Sequence, residues 1–406
     1  MYDPAHAATI ASWTLGAIGV GIGAFAVIVV IILLLKSSCP FIYTYNGEHF
    51  VFTGEVFSGA IQPGLERHDY LLLPEIQPKE GEYLLQVTNE IREIQHINLM
   101  QLLVVDHPEN MSVLFDKYGG LQTIQEAQPP VSAKTFSGNE VLHLVQGKDS
   151  LAYYFDDAIH TEETLDGLIL TFEKPNDATT GKLIVRAKNS FWVEVVMKEF
   201  HSLFGRRYNA FSQWEANRTP EQMRQIMTGQ SFPLAVYVEK EGEWIEADLF
   251  EVAGPMAMKD DVLEINFEEI HDNTFRIKLE SGFLFWELDY VAMDFSENIP
   301  LPVVTLPVAE AIDENGIDVS EAIRSDDLLY YIQPKIGNEA LLRFPVPDFT
   351  DEGRTVVLHS KGFYQILRDQ EGRANWKAVR AFRHPGSMPQ FSKELYQQKI
   401  QLSQQN

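Results

Sequence analysis

Three short clusters carry the side chains that metal or acid–base chemistry uses. Glu90, Glu93 and His96 lie within seven residues and offer two carboxylates and an imidazole. Side chains alternate along a strand, so Glu90 and His96 share one face and Glu93 takes the other. A polar edge explains the trio more simply than a metal. Asp106-His107 supplies half of an acid–base pair, yet it closes an apolar run and reads as a turn. Asp156-Asp157 and Asp326-Asp327 are candidate calcium ligands through their hard oxygens, but neither pair shows the regular Asp spacing of a calcium loop.

No Gly-x-Ser-x-Gly elbow, His-Glu-x-x-His zinc helix, Walker phosphate loop or Rossmann glycine fingerprint occurs, so these signatures assign neither catalytic residues nor a cofactor. Glycosidases need only two suitably spaced carboxylates, and the 58 acidic residues offer many pairs whose distance a sequence does not give. Cys39 is the only cysteine, which excludes an internal disulfide and metal sites built on Cys clusters. A disulfide-free body fits a bacterial envelope protein or a cytosolic domain better than a eukaryotic secreted one. Asn110-Met-Ser and Asn217-Arg-Thr match the glycosylation pattern at a length that chance produces.

The elements that would position these residues come in two related halves. Phe41-Ile-Tyr-Thr-Tyr-Asn-Gly-Glu-His-Phe-Val-Phe alternates around Asn46-Gly47, the preferred pair for a tight hairpin. Leu234-Ala-Val-Tyr-Val-Glu-Lys-Glu-Gly-Glu-Trp-Ile is its later counterpart. Tyr83–Glu90 and the run ending at Asp106 correspond to Phe275–Glu280 and Tyr290–Asp294. One gapless offset of 178 residues matches Gly138, Val141, Val145, Asp149 and Tyr153 with Gly316, Val319, Ile323, Asp327 and Tyr331. Phe172-x-x-Pro175 then matches Phe344-x-x-Pro347, and Leu183–Lys188 matches Val356–Lys361. The shared order implies a tandem duplication of a β-unit. Turn glycines, core aliphatics and capping aspartates account for the repeated residues; a duplicated functional Asp149/Tyr153 and Asp327/Tyr331 pair is the sharper alternative.

Between the halves, Phe191, Trp192, Val195, Val196, Phe200, Leu203 and Phe204 follow helical spacing, and Thr219-Pro220-Glu221-Gln222 opens a second helix with a capping box that closes at Gly229. These helices are expected to cover the β-units by core packing, although an exposed Phe191/Trp192 face would be a partner site. The expected organisation is mainly β: two tandem related β-sandwich units, 39–189 and 233–366, a helical insertion at 190–232, and a tail at 367–406 with a helix from Ser392.

The 406 residues carry a formal charge of −26, which argues against a nucleic-acid partner. Residues 361–406 hold eight Lys or Arg against three Asp or Glu. That tail suits docking on the acidic body; anionic lipid or polysaccharide is the alternative. At the other end no Asp, Glu, Lys or Arg lies between Asp3 and Lys36, and Trp13 to Leu35 is long and apolar enough to cross a bilayer as a single helix. A cleaved signal peptide would carry basic residues ahead of its apolar core. A lipoprotein signal ending at Cys39 would place an aliphatic residue where Lys36 stands. The segment is therefore expected to be an uncleaved anchor in the membrane lipid; Gly19 and Gly23 have the G-x-x-x-G spacing that lets helices approach closely and would allow a homodimer, but glycine is common in membrane helices and chance explains the spacing more simply. Lys36 alone leans the body towards the cytoplasm.

Cys39-Pro-Phe-Ile-Tyr-Thr-Tyr-Asn-Gly-Glu-His-Phe-Val-Phe, with Leu65-Glu-Arg-x-Asp-Tyr, Asn89-Glu90 and Val104-Val-Asp-His107, resembles a family of bacterial membrane or envelope proteins. That family opens with a Cys-Pro-Phe-x-Tyr and Asn/Asp-Gly β-hairpin after an N-terminal anchor. The resemblance implies an envelope setting and brings no activity with it. The expected function is a membrane-tethered, non-enzymatic binding or scaffolding protein with a protein or glycan partner at its sandwich loops; an envelope hydrolase acting on glycans or peptides is the alternative.

Overall fold

The computed structural model describes residues 40–348 and 353–404. The Trp13–Leu35 segment, Gly19, Gly23 and Cys39 lie outside the described residues; no helix among the described residues is long and apolar enough to cross a membrane.

The fold is mainly β and antiparallel. The chain first lays down β1 (Phe41–Tyr45), β2 (Phe50–Glu55), β3 (Arg67–Leu72), β4 (Glu82–Thr88) and the long β5 (Glu93–His107), then the hairpin β6 (Ser112–Phe115) and β7 (Leu121–Ile124). It continues through β8 (Ser132–Thr135), β9 (Leu165–Glu173) and β10 (Thr180–Asn189) to helices α1 (Phe191–Ser202), α2 (Tyr208–Glu215) and α3 (Pro220–Gly229). There follow β11 (Leu234–Lys240), β12 (Glu243–Phe250), β13 (Lys259–Asn266), β14 (Thr274–Gly282) and β15 (Trp286–Asp294). The last strands are β16 (Val304–Pro307), β17 (Glu310–Asp313), β18 (Tyr331–Gln333), β19 (Glu339–Pro345) and β20 (Gly353–Ile366), and helices α4 (Trp376–Ala381) and α5 (Ser387–Gln404) close the chain.

Four main sheets result. Sheet I runs β17-β19-β4-β1-β2, and sheet II runs β16-β5-β20-β3 with β18 also on β5. Sheet III runs β13-β10-β15, and sheet IV runs β12-β11-β14-β9-β8. Sheets I and II enclose one core, in which Val87 and Phe344 meet Leu102, Val104 and Leu358. Sheets III and IV enclose a second, in which Leu183, Val185 and Ile265 meet Leu170, Phe172 and Val236.

The two sheet pairs have matching strand orders, and the repeated residues make matching bonds. Val141 N donates to Ala133 O and Val319 N to Ala311 O, both at 2.8 Å, and Gly138 and Gly316 both hold positive φ. The pairing nevertheless departs from the contiguous units 39–189 and 233–366. β4 of the first half pairs with β19 of the second (Thr88 opposite Glu339), and β9 pairs with β14 (Phe172 opposite Phe275). Each sheet pair therefore combines the early strands of one half with the late strands of the other, and residues 132–294 form the second pair while the first still lacks β16–β20.

The β6–β7 hairpin wedges between the outer faces of sheets II and III. Val113, Phe115 and Leu121 lie against Leu103, Val105 and Val357, while Leu114 and Ile124 lie against Ile184, Val262 and Ala292. The returning strand is pinned beside it: Asn298 Oδ1 accepts from Thr123 N at 2.7 Å, and Asp294 Oδ2 accepts from Gln125 N and Glu126 N.

Local chemistry differs from expectation at two points. Asn46-Gly47 lies in a four-residue loop, because the Asn46 carboxamide accepts from both Glu48 N and His49 N, and the last strand pair is Tyr45 with Phe50. The two-residue turn falls instead on Glu241-Gly242, both with positive φ. The tail helix begins at Ser387 rather than Ser392. It covers α1: Trp192 Nε1 donates to Ser392 Oγ at 2.8 Å, Phe382 packs on Phe200 and Phe391, and Lys393 Nζ donates to Thr161 O and Glu163 O. Docking of the tail thus runs through apolar rings and backbone carbonyls more than through carboxylates.

Thr219 caps α3 reciprocally with Gln222. Thr219→Ala is expected to cost about 1 kcal/mol in urea unfolding, as the loss of one cap at an exposed helix start.

Candidate functional site

The residues singled out by sequence do not gather into one site. Glu90 sits in the β4–β5 turn and accepts from Tyr43 Oη at 2.6 Å. Glu93 is fully buried beside Gln95, and His96 points to the other face of β5 and stacks on Phe363 at 4.4 Å. Burial lowers the pKa of His96. Asp106 forms a two-point pair with Arg354 at 2.6 and 2.9 Å, and His107 Nε2 is hydrogen-bonded to Thr355 Oγ1.

Asp149 and Asp327 do the same work in each half: their Oδ1 atoms accept from Leu151 N at 3.0 Å and Leu329 N at 2.7 Å. Their tyrosines do different work. Tyr153 donates to Asp166 Oδ1 at 2.6 Å, and Tyr331 donates to Glu339 O at 3.0 Å. The repeated Asp and Tyr are thus separate devices, a turn and a hydroxyl anchor. Asp157 accepts from Ser137 N, Ser137 Oγ and Asn139, whereas Asp326 meets Lys361 and His68. Among the described residues no group of three or more His, Cys, Asp and Glu side chains could hold a metal ion.

Titratable groups do converge on the seam between the sheet pairs, where β3 of sheet II meets β13 of sheet III. Lys259 Nζ lies 2.8 Å from Asp69 Oδ1 and 3.1 Å from Asp261 Oδ1. Asp69 Oδ2 accepts from Phe57 N at 2.6 Å, holding a buried phenylalanine at φ +39°. Arg67 donates to Ser58 O on its own side and, across the seam, to Val252 O. Lys117 of the wedge hairpin pairs with Asp248.

Burial drives Asp69 upward, but Lys259, Arg67 and the Phe57 N–H outweigh it and hold the carboxyl below its usual range. Asp261 stays raised, because burial and the neighbouring Asp69 exceed what Lys259 returns. Lys259 itself is raised, since two carboxylates outweigh its desolvation.

On the outer face of sheet II a row of hydrogen bonds borders this cluster. Gln101 Nε2 lies 2.8 Å from His359 Nδ1, His359 Nε2 lies 2.8 Å from His68 Nδ1, and His68 Nε2 lies 3.5 Å from Asp326. Because the amide nitrogen of Gln101 can only donate, each imidazole carries its proton on Nε2, and the row ends with His68 facing Asp326. Burial lowers the pKa of both rings, with the His68 ring adding to the effect on His359, which falls to about 4. His359 also stacks on Tyr70 at 4.6 Å.

The crevice lined by Arg67, His68, Tyr70, Lys117 and Lys259 has a volume of about 20 Å³, room for water rather than a substrate. A more apolar cavity of about 70 Å³ lies where Met197, Met227, Phe232 and Tyr364 meet at the helical side of the seam. The chemistry of the seam is therefore that of a clamp. Its cations and carboxylates are matched with each other, and its histidines are neutral near pH 7.

Arg67 and Asp69 fall inside the Leu65-Glu-Arg-x-Asp-Tyr stretch, but Lys259-Asp260-Asp261 reads as an ordinary solvated strand start. Only the meeting of β3 with β13 reveals it. No protein-family model matches the chain, and no curated protein matches it.

Proposed function

We propose that this chain is a membrane-tethered, non-enzymatic binding or scaffolding protein whose body sits on the envelope side of the bilayer, anchored through Trp13–Leu35. The observation that carries the reading is a pair of leucines held out at the same turn in both halves. Leu151 and Leu329, each following its Asx-type turn, are 55% and 57% exposed. Beside Leu329 lie Leu328, 89% exposed, and Ile332 and Ile336, which extend an apolar edge along β18. Apolar residues clustered on a strand edge suit a protein partner.

The test is crosslinking in intact cells with the full chain and with Leu328→Ser/Leu329→Ser. Wild type is expected to give one discrete adduct, and the variant roughly tenfold less of it, with an unchanged melting temperature because both side chains are exposed. Equal adduct from both proteins would remove the β18 edge from the reading. Protease that reaches the body only after lysis would remove the envelope placement, and turnover of a glycan or peptide by the purified chain would replace the binding reading with that of a hydrolase.

A further inference from the structure

Lys361 and Lys399 of the tail pair with Asp326 and Glu199 of the body, but among the described residues the rest of its basic excess is spent on no carboxylate of the body. Arg373, Lys377, Arg380 and Arg383 are exposed, and the stretch 372–393 contains no Asp or Glu. The α1–α2 turn adds Arg206 and Arg207, also exposed, from a stretch (200–214) equally free of acids. The fold joins the two stretches: Arg206 N donates to Gly372 O at 3.2 Å and Asn375 N to Leu203 O at 2.7 Å. Among the described residues none of these six cations forms an ion pair; of the acids that flank them in the chain, Asp369, Glu199 and Glu215 are paired with Arg92, Lys399 and Arg218, and Glu371 lies just outside the acid-free stretch. Trp376, 49% exposed, stands in the middle of the patch with its ring edge-on to Phe204. In a chain of charge −26, six unpaired cations around an exposed tryptophan form a surface of opposite character to the rest.

The position of the patch indicates what it meets. Phe41 pairs with Thr88 at one end of sheet I; Glu93 pairs with Ile366 at the same end of sheet II, and Leu367 N donates to Arg92 O. Tyr208, next to Arg207, donates to Ile366 O. The segment bearing the patch therefore leaves the first sheet pair at the end where the chain enters it from Leu35. Residues 36–40 span at most roughly 18 Å when extended, which keeps that end close to the bilayer.

We infer that this patch binds the anionic headgroups of the bilayer that holds the anchor, with Trp376 at the headgroup level. Lys and Arg gain from the negative surface potential only within a few ångströms to a Debye length of the headgroups, and tryptophan favours that interface. The inference rests on reading Trp13–Leu35 as an anchor. Six exposed cations on two segments that are hydrogen-bonded to each other suit an anionic surface.

The full chain is to be reconstituted into nanodiscs of phosphatidylcholine, with or without about 30% phosphatidylglycerol, and digested with trypsin. Cleavage after Arg373, Lys377, Arg380 and Arg383 is expected to be at least about tenfold slower with phosphatidylglycerol, to recover in about 0.5 M salt, and to leave cleavage after Lys240 unchanged. Arg206→Gln/Arg207→Gln keeps all four cleavage sites and is expected to lose most of the protection. Equal rates in the two lipids, or protection that the double variant retains in full, would overturn the assignment. If the chain does not enter the discs, the anchor reading fails, and the same digestion with added phosphatidylglycerol vesicles decides the patch by itself: salt-sensitive protection supports it and none overturns it. Equal protection by a DNA oligonucleotide would overturn the choice of lipid.

Discussion

Lys259→Met is expected to lower the free energy of unfolding by about 3–5 kcal/mol, because it removes one charge from a buried network and strands the other two. The side chains of Asp69, Lys259 and Asp261 are 7%, 16% and 20% exposed, so water screens little of the interaction. Without the ammonium, two carboxylates face each other across the β3–β13 seam, and each pushes the pKa of the other upward. The loss should therefore be greatest near neutral pH and shrink in acid as the stranded carboxylates take up protons. Asp69→Asn/Lys259→Met/Asp261→Asn should recover most of it, because the three mutually paired charges leave together, Arg67 keeps its carbonyl acceptors Ser58 O and Val252 O, and the carboxamide introduced on β3 still offers an oxygen to Phe57 N. Urea unfolding of the three proteins at several pH values measures this. A loss below about 1 kcal/mol for Lys259→Met would mean that the wedge hairpin, not the charge cluster, holds the seam.

Acid is expected to unfold the protein largely through His201. This imidazole is buried between Phe200 and Tyr208, its Nδ1 has no hydrogen-bond partner among the described residues, and burial together with the nearby Arg368 lowers its pKa from 6.5 to about 3. A lowered native pKa contributes stability that is whole above 6.5 and drains away as the pH falls towards 3, an interval worth about 5 kcal/mol at most. His359 acts in the same direction.

Asp166 acts in the other. Burial raises it from 3.8 to about 6 despite the hydroxyl of Tyr153, so its contribution is whole below 3.8 and is lost as the pH rises through 6. Between those values the two groups oppose each other, and the comparison of wild type with His201→Phe isolates the imidazole. The stability of wild type relative to that variant should fall steadily below pH 6.5. A difference that does not vary with pH would show that His201 takes up its proton without cost.

Strand positions were legible because alternation of apolar residues reports local burial, and the equivalences at offset 178 were legible because they mark identical turns. Gly138 and Gly316, and Asp149 and Asp327, prove to make the same bonds in the two halves. The exchange of strands between halves was not legible, and the reason is physical. Two halves with similar apolar patterns present β4 with two nearly equivalent partners, β9 and β19, and periodicity does not distinguish them. Connections decide, and they act through three-dimensional reach. The seam was hidden for a related reason. Lys259 and Asp69 are separated by 190 residues and meet only where the two sheet pairs pack against each other.

The exchange also sets an order of events during synthesis. β1–β5 leave the ribosome first, yet β5 waits for β20, its partner from Glu93 opposite Ile366 to His107 opposite Gly353. Residues 132–294 are complete in the meantime, so the sheet pair encoded in the middle of the chain can close while the one encoded at its start stays open. At translation speeds of about 5–20 residues per second, the first five strands keep an unpaired edge for roughly 10–50 s. An aggregation hazard of that duration is carried by the nascent chain alone and ends when β20 emerges.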